Sequence, residues 1–287
     1  MTSALYEPLA QSAPLAHALA AKHCAQGGCG WYHGVWQYLL LSGLTNSMRS
    51  DTEFLLRSFA ALALGNRPQR ILISGAADYS MLAHVVAAFG VDPEAAHISM
   101  IDQCATPLAV NQWYAAQVGL PLETIHTDVL QHLPARPYDL LCTHTFLGLF
   151  DESTRHQVLQ RWHAAMKPGA KVVTSQRVHP GFSGQQIRFD AAQGAAFIAR
   201  AADAAATFEP QHQLNGGSLV RFATEYVQRW QRLPIKSEAE LVGLFEANGF
   251  RIDVLDAADA VAKVADRPSG PTHALATRIR IVATRLA

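Results

Sequence analysis

RILISGAADYSMLAHVVAA, residues 70–88, decides how the rest of the chain is read. Ile71, Leu72, Ile73 and Ser74 have the apolar character of a strand; Gly75 opens a short loop of Ala76, Ala77 and Asp78, and a helix-compatible segment begins at Ser80. Strand, tight turn and helix make the first unit of a nucleotide-binding α/β domain. The turn lets the backbone come close to a ligand, and the helix N-terminus beyond it presents free N–H groups and partial positive charge.

Strands and helices then alternate. His97–Ile101 reads as a second strand ending in Asp102, Pro107–Val118 as a helix, Glu123–His126 as a third strand before Asp128, and Tyr138–Thr143 as a fourth. Ser153–Met166 is an amphipathic helix stopped by Lys167, Pro168 and Gly169, and Lys171–Ser175 follows as a fifth strand. Such alternation predicts a mostly parallel, doubly wound sheet covered on both faces, with a ligand crevice at the carboxyl ends of its strands. From about 178 to 233 the rhythm breaks into two helical stretches, Asp190–Phe208 and Gly217–Trp230, placed as a lid at the crevice edge. A helix from Ser237, with Glu240 at capping-box spacing and Gly249 as its stop, and strands at Phe250–Leu255 and Arg278–Thr284 complete a seven-stranded sheet.

Residues 1–67 read as a helical cap on a domain spanning 68–287. Pro14–Ala25, Tyr32–Leu44 and a segment from Ser50 to Gly65 carry helical periodicity, the first two separated by Gly27, Gly28, Cys29 and Gly30, and Ser50 with Glu53 has capping-box spacing. Trp31, Tyr32, Trp36 and Tyr38 crowd one short run. They anchor the cap or wall a pocket, since aromatic faces attract cations.

Composition narrows the function. Lys plus Arg and Asp plus Glu both number 23 in 287 residues, which gives no basic face for nucleic acid. No apolar run is long enough to span a membrane and the N-terminus lacks a signal-peptide pattern, so a cytoplasmic protein is expected; the neutral charge and the two candidate lid segments point to a small-molecule substrate. Cys24, Cys29, Cys104 and Cys142 show no CxxC or Cys/His ligand spacing, and the histidines stand singly. Neither a disulfide framework nor a metal site is expected, and Cys142 reads as a core thiol.

Asp102 and Asp128, after the second and third strands, project into the same crevice as the Gly75 loop; there they can accept hydrogen bonds from ribose hydroxyls and from an exocyclic amine. The order ILISGAADYS, SMIDQ, HTDVL, PYDLLCTHTFLGLF and RWHAAMKPGAKVVTSQ resembles the class I S-adenosylmethionine-dependent methyltransferase core over residues 68–178. The resemblance implies a Rossmann-like fold and S-adenosylmethionine as cosubstrate or substrate. It places Gly75 beside the methionine part, Asp102 at the ribose, Asp128 at the adenine, and Thr143 and His144 facing the sulfonium; Ala76, Asp78, Gln103 and Val129, close by in sequence, complete the expected cofactor-binding set, Asp78 offering a carboxylate from a different place than the family's first-strand acid. The chain departs from the pattern at its first strand, where Ile73 takes the place of an acid and Ala77 and Tyr79 replace glycines.

Tyr32, His33, Trp36 and His144 are the candidate catalytic groups near the sulfonium, and no acidic pair suited to Mg2+ accompanies the fourth strand. Methyl transfer to a small-molecule acceptor is the expected reaction. Without a first-strand acid to hold its ammonium, the cofactor's own amine could instead close on its γ-carbon to give azetidine-2-carboxylate and methylthioadenosine, or the aminocarboxypropyl group could be transferred. A non-catalytic binding protein is the reading from outside enzymology.

Overall fold

The computed structural model describes residues 5, 8–24, 28–45, 48–64, 69–259 and 276–287. Strands β1 (Gln69–Ser74), β2 (Ala96–Asp102), β3 (Leu122–His126), β4 (Tyr138–His144), β5 (Met166–Val178), β6 (Phe250–Asp259) and β7 (Thr277–Arg285) form one sheet in the order β3-β2-β1-β4-β5-β7-β6. The first five run parallel, and β7 enters antiparallel between β5 and β6. Strand order reverses between β1 and β4. The carboxyl ends of strands at such a reversal are where doubly wound sheets bind ligands.

The described residues hold ten α-helices besides short 3-10 turns: α1 (Leu9–His23), α2 (Gly30–His33), α3 (Trp36–Leu41), α4 (Thr52–Ala63), α5 (Ser80–Phe89), α6 (Ala105–Val118), α7 (Glu152–Ala165), α8 (Ala191–Gln211), α9 (Ser218–Arg229) and α10 (Glu238–Glu246). One large core joins Leu39, Phe54, Leu55 and Phe59 of the N-terminal helices to Ile71 and Ile73 of β1 and to Phe197, Leu219 and Tyr226 of α8 and α9. A second core, on the other face, packs Trp162, Leu141, Val172, Phe245 and Ile281. The N-terminal helices and the 178–233 segment therefore share one packed layer over the sheet.

Several local expectations change. Pro14 lies inside α1, which starts a turn earlier at Leu9, and the Tyr32–Leu44 segment is split into α2 and α3 around Gly34. Ser50 does not cap α4: its hydroxyl accepts from Arg278 at 2.7 Å, and Asp51 stands at the N-cap with its carboxylate committed elsewhere. Lys167, Pro168 and Gly169 run as the start of β5 rather than as a stop before it. Ser237 caps α10 through Glu240 N at 3.0 Å, but the Glu240 carboxylate reaches Lys236 N at 2.7 Å, which leaves the box half formed. Gly27, Gly65 and the 67/68 boundary lie outside the described residues. Cys142, on β4, is fully buried, and loss of solvent pushes its thiol pKa up.

Candidate functional site

A cavity of about 650 Å³ opens at the carboxyl ends of β1, β2, β3 and β4, within the range of small-molecule sites. Its floor is the loop after β1. Gly75 has φ +74°, a left-handed conformation that favours glycine, and a Cβ there would come 2.5 Å from Phe146 Cε2. Ala76 and Ala77 continue the floor. Tyr79, at a position where the resemblance would have glycine, keeps φ at −81° and turns its ring away into the core, stacked on Tyr114 at 4.8 Å. The larger side chain thus costs the loop no backbone strain.

Both strand-end acids line the cavity. Asp102 accepts from Ala76 N at 3.1 Å and Cys104 N at 2.7 Å, which ties the β1 and β2 loops together; burial raises its pKa, and those two N–H groups oppose the rise. Asp128 accepts from Leu130 N at 2.9 Å and so turns the chain after β3, placing Val129 beside it. Gln103 lines the same rim. Asp78 accepts from Ser80 N at 2.7 Å and from Trp36 Nε1 at 2.9 Å, an indole bond that fixes α3 to the first loop.

The wall opposite the sheet is aromatic and cationic. Tyr32 packs on Trp36 at 5.4 Å, Trp36 on Tyr226 at 6.3 Å, and Trp31 on Tyr226 at 6.1 Å. Arg232 lies 6.0 Å over the Tyr32 ring and 5.2 Å over Trp230, within cation–π reach. Burial pushes the Tyr32 hydroxyl up to about 12 and keeps it protonated at neutral pH. Arg177 and Arg278 also line the cavity, and burial, with Arg278 beside it, brings Arg177 down to about 10.

His144 closes β4, lines the cavity, and holds Asp51 by Nε2 at 2.8 Å. That pairing leaves Nδ1 as the acceptor, 3.4 Å from Thr145 Oγ1. Asp51 is fully buried and is also held by Arg278, and by Arg280 at 2.7 Å. Burial alone would raise the Asp51 carboxyl, but His144 and the two arginines outweigh it and hold it well below the usual carboxylate range. For His144 burial dominates and lowers the pKa, so the neutral imidazole is favoured. The next residue, Thr145, has φ +50°, unusual for a β-branched side chain, and its N–H is anchored to Ser175 O at 2.8 Å.

The structure brings Tyr32, His33, Trp36, Gly75, Ala76, Asp78, Asp102, Gln103, Asp128, Val129 and His144 to one cavity. Thr143 is the exception. It is fully buried and donates its hydroxyl to Ser74 O at 2.7 Å, because neighbours along a strand point to opposite faces and His144 takes the cavity side. His33 touches the cavity but also enters a thiol cluster, with Nδ1 3.7 Å from Cys24 Sγ. Sequence reasoning missed Asp51, Arg177, Tyr226, Arg232 and Arg278, which come from the cap, the end of β5, the helical insertion and the last strand. It also missed the convergence of Cys24, Cys29 and Cys104, contrary to the expectation that no Cys/His ligand grouping exists. The spacing C-x4-C-x3-H over 24–33 was its local signal.

Comparison with solved structures places the fold. A SAM-dependent methyltransferase from Methanosarcina mazei superposes with a TM-score of 0.50 at 13% identity, covering 79% of this chain and 96% of that one. The [4+2]-cyclase SpnF superposes with a TM-score of 0.53 at 15% identity, covering 84% of this chain and 83% of its own. The fold is the class I methyltransferase fold. No protein-family model and no curated protein sequence matches the chain. No helix among the described residues is long and apolar enough to cross a membrane.

Proposed function

We propose that the protein binds S-adenosylmethionine and catalyses methyl transfer to an O–H or N–H group of a small molecule, with His144 as general base. The observation that carries this reading is the His144–Asp51 contact at 2.8 Å on the wall of the cavity that also holds Gly75, Asp102 and Asp128. The residues fit the cofactor. Gly75 and Ala76 form a floor without side-chain bulk, Asp102 and Gln103 would take the ribose, and Asp128 with Val129 would take the adenine edge. When bound, the cofactor supplies an electrophilic methyl group on a sulfonium.

The chain's own groups do the rest. His144 receives the acceptor's proton at Nδ1, while Asp51 fixes the ring's orientation and stabilises the imidazolium that results. Tyr32, Trp36 and Tyr226 exclude water and offer ring faces to positive charge. Arg232 and Arg177 favour an acceptor that carries a carboxylate or another anionic group. Neutral net charge and a cavity roofed by two helical segments support a small acceptor rather than a polymer.

A second reading draws support from one feature. The first strand carries fully buried Ile73 in place of an acid, and the Asp78 carboxylate is engaged by Trp36 and Ser80. An amine in this cavity would meet arginines more readily than a committed acid, which favours its neutral, nucleophilic form and ring closure of the cofactor's own side chain. Incubation with S-adenosylmethionine alone, followed by mass identification of the nucleoside, separates the two. S-adenosylhomocysteine formed only with an added acceptor supports methyl transfer; methylthioadenosine formed without one overturns it in favour of cyclisation.

A further inference from the structure

The cap meets the β2 loop at a cluster of four side chains. Cys24 closes α1, Cys29 precedes α2, His33 ends α2, and Cys104 stands at the N-cap of α6. Cys24 Sγ lies 3.6 Å from Cys104 Sγ, Cys29 Sγ lies 3.7 Å from Cys104 Sγ, and His33 Nδ1 lies 3.7 Å from Cys24 Sγ. One ligand atom from each of the four falls within 4.8 Å of all the others.

These separations discriminate among the possible chemistries. A disulfide needs sulfurs about 2.05 Å apart, far closer than any pair here. A tetrahedral zinc centre with Zn–S of about 2.3 Å and Zn–N of about 2.0 Å has S···S edges of about 3.8 Å and S···N edges of about 3.5 Å. The recorded distances sit at those edges. An iron–sulfur cluster divides its four ligands between two or four iron atoms and would spread them more widely. Three thiolates and one imidazole are also a donor set that suits zinc over hard cations.

We propose that Cys24, Cys29, His33 and Cys104 bind one zinc ion in a closed, structural Cys3His site that staples the N-terminal cap to the loop carrying Asp102. Binding exchanges three thiol protons for the metal and releases them to solvent. The ligands span 80 residues between Cys24 and Cys104, so the metal closes a long loop. Cys104 donates its N–H to Asp102 Oδ1, so the staple also braces the ribose-side carboxylate. Thr106 Oγ1, 3.2 Å from Cys24 Sγ, supplies an outer hydrogen bond of the kind that orients metal ligands.

The test is elemental analysis of full-length protein purified without chelator, with one zinc per chain expected. Chelator-stripped protein titrated with Co2+ should develop thiolate-to-metal absorption and the intense visible bands of a tetrahedral thiolate site, saturating at one equivalent and bleached by zinc. C104S and H33A, each checked for native circular dichroism, should lose zinc to a pyridylazo-resorcinol competitor at least tenfold more readily than the parent. Should C104S fail to fold, H33A and the cobalt spectrum of the parent carry the decision. Native protein that takes up neither zinc nor cobalt would overturn the proposal. So would a disulfide between Cys24 and Cys104 in freshly purified protein, or unchanged zinc retention in both variants. The readouts need no cofactor, so a failure here leaves the proposed reaction untouched.

Discussion

Asp51→Asn tests the network on which the proposed base depends. The Asp51 side chain is fully buried, and it faces Arg278 and Arg280, whose side chains are 5% and 17% exposed. Substitution leaves two guanidinium groups facing a neutral amide. Removing one member of a buried ion pair costs about 3–5 kcal/mol. Arg280 keeps Asp256 and Ser50 O as partners and has some access to water, which sets the expected loss near the lower limit, about 3 kcal/mol. At about 2–4 °C per kcal/mol for chains of this size, the melting temperature should fall by about 6–12 °C. Urea unfolding at pH 7, followed by tryptophan fluorescence, measures the difference directly. A pH series adds a second constraint. The folded pKa of Asp51 is depressed below its ordinary 3.8, so its contribution is complete above 3.8 and is lost as pH falls below it. The parent and Asn variant curves should therefore converge in acid. A loss under about 1 kcal/mol at pH 7, or a gap that does not narrow in acid, would refute the reasoning.

Further outcomes follow from the same site. Asp102→Ala should weaken S-adenosylmethionine binding by about 1.5–3 kcal/mol, roughly 10- to 150-fold by calorimetry, and unchanged affinity would remove the ribose assignment. His144→Gln should lower kcat by about 10²–10⁴-fold with little change in cofactor affinity. In the parent the acid limb of kcat/KM should lie below pH 6.5, because burial favours the neutral ring, and that limb should vanish in the variant. Gly75→Ala should destabilise by about 1–2 kcal/mol from its positive φ alone, and more if the Phe146 ring cannot give way; chemical denaturation reads this. Trp36→Phe keeps most of the buried ring but removes the N–H bond to Asp78, so turnover should fall more than stability.

The sheet was legible because its strands are short apolar runs closed by turn residues. Asp102 and Asp128 were legible because an acid at a strand end has few places to point other than the crevice. What escaped was held together by tertiary contact. Asp51 looked like part of a helix start, and only the position of β7 reveals it as the carboxylate behind His144. Thr143 and His144 are adjacent, and choosing between them requires knowing which face of β4 looks out. Tyr226 and Arg232 lie on an insertion whose helices could be recognised but not docked. The cysteines sit on α1, before α2 and after β2, and no linear spacing unites all three.

The pairing of Asp51 with the last strand also bears on the order in which the protein can be made. Arg278 follows Asp51 by 227 residues and Arg280 by 229, so the ribosome delivers the carboxylate long before either guanidinium. β6 emerges before β7 yet lies outside it, and must await the strand that joins it to β5. Sheet closure and burial of Asp51 are thus completed by the same late segment, since Thr277–Arg285 fills the gap and carries both arginines. A nascent chain halted before Thr277 would hold an open edge at β5 and a carboxylate without its counter-charges. Such a chain would be exposed to edge-to-edge association, and the carboxylate behind His144 would gain its counter-charges only once β7 had been made.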